Sequence, residues 1–349
     1  MSIGIRPAMD GAMGQLVDGV WYAGWHAPDE SGAFVRPDAA FRGRVTADGA
    51  SGFRAEPGRY HLYVSYACPW AHRALIVRAL RGLEDAIPVT VVDPKMGDGG
   101  WEFGDEVDPL FGAKYLRELY LRAKPDFTGR VTVPVLWDTH TSTIVNNESR
   151  EVMRILDTAF DAFAHRPRSL APPALRPTID EVLDAIYTPI NNGVYRAGFA
   201  TRQEPYEAAC RALFDALDTW NATLARRRFT CGASLTEADV ALFTTLFRFD
   251  TVYYSHFKCN VRRVQDYEHL WGFVRDLHQT PGIRETCRLD HVKTHYYWSQ
   301  TTVNPHRVVP MGPMIDFDAP HGRQALAYGD SPSSLRTSAI GLPPYSARA

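Results

Sequence analysis

The 349-residue sequence predicts an α/β domain followed by an all-α domain. Three observations carry this fold class. Residues from about 59 to 156 alternate short β-rich runs with amphipathic stretches. From about 176 onward the apolar spacing is helical: Tyr206, Cys210, Leu213, Phe214, Leu217, Trp220 and Leu224 recur at three- and four-residue intervals. Between a strand and the first helix of the α/β part stands Cys68, in the run Tyr66-Ala67-Cys68-Pro69-Trp70-Ala71-His72-Arg73.

Residues 1–58 are rich in Gly, Ala, Asp and Arg, hold Trp21 and Trp25, and show little periodicity; an extension wrapped over the surface is expected. Tyr60–Ser65 is β-rich and apolar at alternate positions, hence a strand. The helix after Cys68 runs to about Arg81, with Leu75, Ile76, Ala79 and Leu80 on one stripe. Pro69 falls in its first turn, where a missing N–H does no harm, and Gly82 follows Arg78 and Arg81 as a stop. Val89–Val92 reads as the next strand. An insertion over 94–130 holds Gly99-Gly100-Trp101 and a short helix around Tyr115–Arg122. Strand Val131–Trp137 turns through Asp138-Thr139-His140 into Ser142–Val145, and a helix starts near Ser149 with Val152, Ile155, Leu156 and Ala159 on one face. A β-α-β unit, a hairpin and a helix make the thioredoxin arrangement, placed at 59–160. A linker at 161–175, a helical domain at 176–300 and a Pro-, Gly- and Ser-rich C-terminal tail at 301–349 complete the chain. Within the helical domain Thr236-Glu237-Ala238-Asp239 opens a helix with a capping box, and Asp266–Gln279 reads as another that stops before Pro281.

Forty acidic against 38 basic residues leave a net charge of −2, which makes no electrostatic case for nucleic acid. No uncharged apolar run is long enough to cross a bilayer, so no membrane partner is expected. Met1–Pro7 lacks the apolar core of a signal peptide. The five cysteines (68, 210, 231, 259 and 287) are odd in number, scattered, and form neither a CxxC nor a zinc spacing. A reduced, cytoplasmic protein with no metal is expected.

A cysteine at a helix N-terminus meets unpaired N–H groups and the positive end of the helix dipole. Cys68, beside His72 and Arg73, is therefore expected to titrate below a free thiol, in the range of roughly 3.5–7.5. Three residues on stands Ala71, where a resolving cysteine would be, so the site must borrow a thiol from a small molecule. The bland alternative is a buried cysteine packed as a small hydrophobe. A thioredoxin-like half followed by a helical half is the build of the cytosolic glutathione transferases, and local signals fit glutathione. Val133-Pro134 suggests a cis peptide that leaves Val133 backbone groups to a peptide-like ligand; an edge-strand proline is the alternative. Glu148 suits a γ-glutamyl ammonium and Ser149 its carboxylate, unless Ser149 is only a helix cap. Trp101 on its Gly-flexed loop could cover the tripeptide, or be core; Arg130 could pair the glycyl carboxylate, or be a solvated charge. Tyr195, Tyr253 and Tyr296 fall at expected helix ends or loops, and their phenols could converge on an aromatic oxygen, or pack as core.

The chain resembles the glutathionyl-hydroquinone reductases, also called Xi-class glutathione transferases. The resemblance is carried by Gly14-Gln15-Leu16-Val17-Asp18-Gly19, Gly58–Ser65, Ala67–Arg73, Gly100-Trp101, Val133–Asp138, Ile144–Ser149, Gly193–Ala200, His256–Asn260 and His295-Tyr296-Tyr297, in the family's order over nearly the whole chain. It implies a homodimer with glutathione as co-substrate and an aromatic glutathionyl-hydroquinone as substrate. It implies a nucleophile at Cys68, a glutathione site at Trp101, Arg130, Val133, Glu148 and Ser149, and an aromatic pocket at Tyr195, Tyr253 and Tyr296, with Tyr195 and Tyr296 acting on the ring. Two departures stand out: Tyr254 follows Tyr253, leaving open which phenol faces the site, and Gln300 stands where a histidine is expected. The alternatives are a general thioltransferase or dehydroascorbate reductase of the Omega type, and a non-catalytic binding module of the same fold.

Overall fold

The computed structural model describes residues 14–24, 29–104 and 107–328; Trp25, the first residues and the tail beyond 328 lie outside the described residues. The extension contributes a hairpin, β1 (Gln15–Val17) with β2 (Val20–Tyr22), and a short parallel pair, β3 (Val45–Thr46) with β4 (Phe53–Arg54). Then follow β5 (Tyr60–Val64), α1 (Pro69–Arg81), β6 (Val89–Val91), α2 (Leu116–Ala123), β7 (Gly129–Arg130), β8 (Val135–Asp138), β9 (Thr143–Asn146) and α3 (Ser149–Thr158).

The four-stranded sheet has the order β6-β5-β8-β9. β5 is central, parallel to β6 through Leu62↔Val89 and antiparallel to β8 through Leu62↔Leu136. All five of its residues are buried, as expected for a strand covered on both faces. This is the thioredoxin-like arrangement. The strand expected at Val131–Trp137 enters the sheet only at Val135: residues 131–134 leave the ladder, and the Val133–Pro134 peptide is cis. Arg130 belongs instead to β7, which pairs with β1 through Gln15↔Arg130. The extension thus does more than wrap the surface. Its Leu16 is fully buried, and its hairpin props the strand that carries Arg130.

The helical half comprises α4 (Arg176–Ile186), α5 (Gly193–Gly198), α6 (Gln203–Leu224), α7 (Glu237–Arg248), α8 (Glu268–His278) and α9 (Leu289–Ser299). Thr236 and Asp239 form the expected capping box. Every residue of α7 is buried, and α1 packs between α3 and α7, so the first helix of one half is the seam with the other. π-helical turns at Tyr187–Asn191 and Phe249–Tyr253 follow α4 and α7 directly. α9 occupies a segment with no clear helical signal in the sequence; it places Tyr296 mid-helix rather than at an end. Residues beyond it fold back, with Phe317 on the ring of Phe247 at 5.2 Å and Arg323 donating to the carbonyls of Arg227 and Arg228. Among the described residues no helix is long and apolar enough to cross a membrane.

Candidate active site

Cys68 is the N-cap of α1 and lines a cavity of about 350 Å³ between the two halves. Its sulfur lies 3.7 Å from the carbonyl of Val133. Burial pushes its thiol up, and this outweighs the downward pull of the amides of Ala71 and Trp70 and the guanidiniums of Arg248 and Arg36. The direction is opposite to that expected from the helix terminus alone. The expected cationic neighbours also point elsewhere. Arg73 lies over the Trp70 ring at 4.4 Å and donates to Ser149 Oγ at 3.3 Å. His72 is fully buried, and burial holds its pKa well below the usual value. A guanidinium only donates, so the 3.0 Å contact from Arg248 Nη1 assigns His72 Nδ1 as acceptor; its Nε2–H then donates to Thr286 Oγ1 at 2.8 Å.

Arg248 is the charge behind the cysteine. It ends the wholly buried α7 and has no exposed surface. Its guanidinium holds the carbonyls of Tyr66 and Ala67, at 2.8 and 2.9 Å, and that of Thr244 at 2.7 Å. The turn leading into Cys68 is therefore fixed from the helical half. Sequence reasoning missed this residue; the available signal was an arginine closing the uncharged run Val240–Phe247, which must find partners inside.

The five residues expected at the glutathione site line the same cavity as Cys68. Trp101 is stacked on His295 with ring centroids 4.6 Å apart and planes at 18°. Burial lowers Arg130 to about 10, and nearby Arg36 adds to the shift. Glu148, not Ser149, is the N-cap of α3: its carboxylate accepts from the Arg150 amide at 3.2 Å, while Ser149 is the first helical residue. The sidedness of the cap differs from the sequence reading because Asn146 Oδ1 accepts from the Glu148 amide at 2.7 Å and sets the turn one residue earlier.

The opposite wall is phenolic. Tyr195 and Tyr296 hydroxyls are 2.6 Å apart, and Tyr253 reaches Tyr296 at 3.0 Å. Burial raises all three above the ordinary phenol value, so all three are protonated at neutral pH. Tyr195 and Tyr296 line the cavity; Tyr253 is fully buried behind them, with its hydroxyl on Tyr296 and its ring edge-on to that of Tyr195 at 6.0 Å. Tyr253, rather than Tyr254, is thus the inward phenol. Gln300 also lines the cavity and accepts from His256 Nε2 at 2.9 Å, so this departure falls at the site and not away from it. Arg36, which the sequence did not single out, enters from the extension and stacks between Trp70 and Tyr195.

A thioredoxin-like domain with a cysteine capping its first helix, a cis-proline beside the sulfur and a helical half closing the cavity define a cysteine-type glutathione transferase. Family models agree: residues 67–159 match the glutathione S-transferase N-terminal domain and residues 203–276 the glutathione S-transferase C-terminal domain. The glutathionyl-hydroquinone reductase YqjG of Escherichia coli (strain K12) is 50% identical over 323 residues, covering 89% of this chain and 98% of the relative. The glutathionyl-hydroquinone reductase PcpF of Sphingobium chlorophenolicum is 50% identical over 306 residues, covering 86% and 96%. Among solved structures, the Xi-class transferase from Natrialba magadii superposes with a TM-score of 0.85 at 53% identity, covering 92% of this chain and 99% of that one. Glutathione-bound YqjG superposes with 0.82 at 49% identity, covering 89% and 99%. The chain belongs to the Xi-class glutathione transferases, the family of the glutathionyl-hydroquinone reductases.

Proposed function

We propose that this protein reduces glutathionyl-hydroquinones to hydroquinones with glutathione as reductant, through a mixed disulfide between Cys68 and glutathione. The observation that carries this reading is the pairing of Cys68 with two protonated phenols, Tyr195 and Tyr296, across one cavity that offers no second thiol. The thiol supports transfer of a glutathionyl sulfur; the phenols support an aromatic oxygen as the other half of the substrate.

The glutathionyl part lies against the thioredoxin-like half. Glu148 and Ser149 take the γ-glutamyl end, the backbone of Val133 pairs the cysteinyl unit, Trp101 covers it, and Arg130 meets the glycyl carboxylate. Tyr195 and Tyr296 hold a ring oxygen, with Tyr253 fixing their order from behind; in the keto tautomer of the ring the C–S bond is weaker. Cys68 attacks the glutathionyl sulfur. An S–S bond forms, the C–S bond breaks, and its electron pair restores the aromatic ring and leaves the hydroquinone as a phenolate, which takes a proton. Cys68 gives up one proton and the product gains one, so the half-reaction needs no outside acid. A second glutathione attacks the mixed disulfide and releases Cys68. The sum is one glutathionyl-hydroquinone and one glutathione to one hydroquinone and one oxidised glutathione.

Turnover of a glutathionyl-hydroquinone panel with glutathione tests this. Equal yields of hydroquinone and oxidised glutathione are expected. Failure to release hydroquinone, with brisk reduction of small disulfides or dehydroascorbate, would transfer the assignment to a general thioltransferase. Five free thiols suit a reducing cytoplasm. The family resemblance extends to a homodimer; sedimentation at twice the chain mass supports it, and a monomer removes it.

A further inference from the structure

Arg36 is held in an unusual way. Its Nε donates to Asn192 Oδ1 at 2.8 Å. Its guanidinium carbon lies 4.8 Å from the Trp70 ring centre, 4.9 Å from that of Tyr195 and 5.5 Å from that of Phe34. Three aromatic faces and one hydrogen bond fix the plane of the group. Among the described residues its Nη1 and Nη2 have no hydrogen-bond partner, and no carboxylate stands within ion-pairing distance. Yet the side chain lines the same cavity as Cys68, Tyr195 and Tyr296. A guanidinium fork held rigid, open on two nitrogens and bordering a reaction cavity is a site for an anion.

Resting on the function proposed above, we propose that Arg36 is a catalytic residue that receives the phenolate oxygen of the departing hydroquinone. In the proposed step the C–S electron pair flows through the ring to an oxygen, and negative charge appears there as the bond breaks. A hydroquinone carries oxygens at opposite ends of its ring. The charge lands on the oxygen at the ring carbon next to the C–S bond, the one conjugated with it; the cation resting on the Tyr195 face takes that oxygen, and the Tyr195–Tyr296 hydroxyls take the one across the ring. The charge is present before the reaction and needs no rearrangement when the phenolate forms, which is where fixed donors are most effective. The electron balance is unchanged: Arg36 stays protonated, and the phenolate takes its proton after release. A small disulfide substrate expels a thiolate and develops no charge on a ring oxygen, so it makes no use of this role.

The test uses the full-length protein. Arg36→Gln should lower kcat/KM for glutathionyl-hydroquinones by on the order of 100-fold relative to its effect on a small glutathionyl mixed disulfide. The loss should shrink as electron-withdrawing ring substituents acidify the hydroquinone, because a better leaving phenolate needs less help. Arg36→Lys, which keeps the charge but not the planar fork, should recover part of the ratio. Glutathione affinity and melting temperature of both variants report whether the site is otherwise intact. An equal loss on both substrates, with a changed pH profile of Cys68 alkylation, would mean that Arg36 acts on the thiol and would overturn the proposal. So would a loss independent of ring acidity. If the wild-type protein released no hydroquinone at all, the reaction itself would fail, and this role with it.

Discussion

The two walls of the cavity are built on different principles. The wall assigned to glutathione comes from one half of the chain: Trp101, Arg130, Val133, Glu148 and Ser149 sit on loops, strand ends and a helix start within about fifty residues. The phenolic wall comes from three separate elements, α5, the turn after α7, and α9. Tyr195 and Tyr296 are 101 residues apart in sequence yet 2.6 Å apart at their hydroxyls. In the proposed function the first wall addresses a peptide, which has the same backbone chemistry in every glutathione enzyme, and the second addresses the group attached to glutathione. On that assignment generic recognition is local, whereas the part proposed to select the reaction is assembled by tertiary packing.

Substitutions can break that comparison. The largest effect is expected at the seam: Cys68→Ser should abolish reductase turnover, since a hydroxyl cannot carry glutathione as a disulfide, while leaving weak glutathione-conjugating activity measurable with an electrophilic aromatic. On the phenolic wall, Tyr195→Phe and Tyr296→Phe should each slow glutathionyl-hydroquinone turnover by roughly 100-fold, and small-disulfide turnover far less. Tyr253→Phe, one hydroxyl further back, should cost less than either. Equal slowing on both substrates would reduce this wall to packing. On the glutathione wall, Trp101→Ala and Arg130→Ala should weaken glutathione binding by about 1–3 kcal/mol each, read by calorimetric titration, with the folding transition preserved. Unchanged affinity in both would remove them from the site.

A smaller effect sharpens the account of the nucleophile. Burial raises the Cys68 pKa above its ordinary value, so in the ligand-free protein the thiol is the major form at neutral pH. Below a raised pKa the thiolate fraction grows about tenfold per pH unit, and alkylation of Cys68 should follow that slope from pH 6 to 8. A plateau over this interval would show that the helix amides and the two guanidiniums prevail over burial.

What the sequence made legible follows the same division. Cys68, Pro69 and Gly82 announce the first helix because caps and stops are short-range chemistry. The Val133-Pro134 and Asn146–Ser149 signals are likewise local, although the cap fell on Glu148 once the Asn146 side chain entered the turn. α9 was not legible: its apolar residues face packed neighbours on several sides and leave no clean stripe. Arg36 and Arg248 were missed because their partners are remote. Arg36 meets Asn192, 156 residues away, and Arg248 meets Ala67, 181 residues away. The three tyrosines stood out by their expected places at helix ends or loops, and the family resemblance implied a pocket; their hydroxyl distances show that they come together.

The central claim is that glutathione passes through a covalent bond to Cys68. Mixing the protein with one equivalent of a glutathionyl-hydroquinone, without free glutathione, and measuring intact mass together with released hydroquinone tests it directly. One glutathionyl group per chain, mapped to Cys68, lost on adding thiol, and matched by one equivalent of hydroquinone, is the predicted result. Hydroquinone release without an adduct, or an adduct on Cys210, Cys231, Cys259 or Cys287, would contradict it.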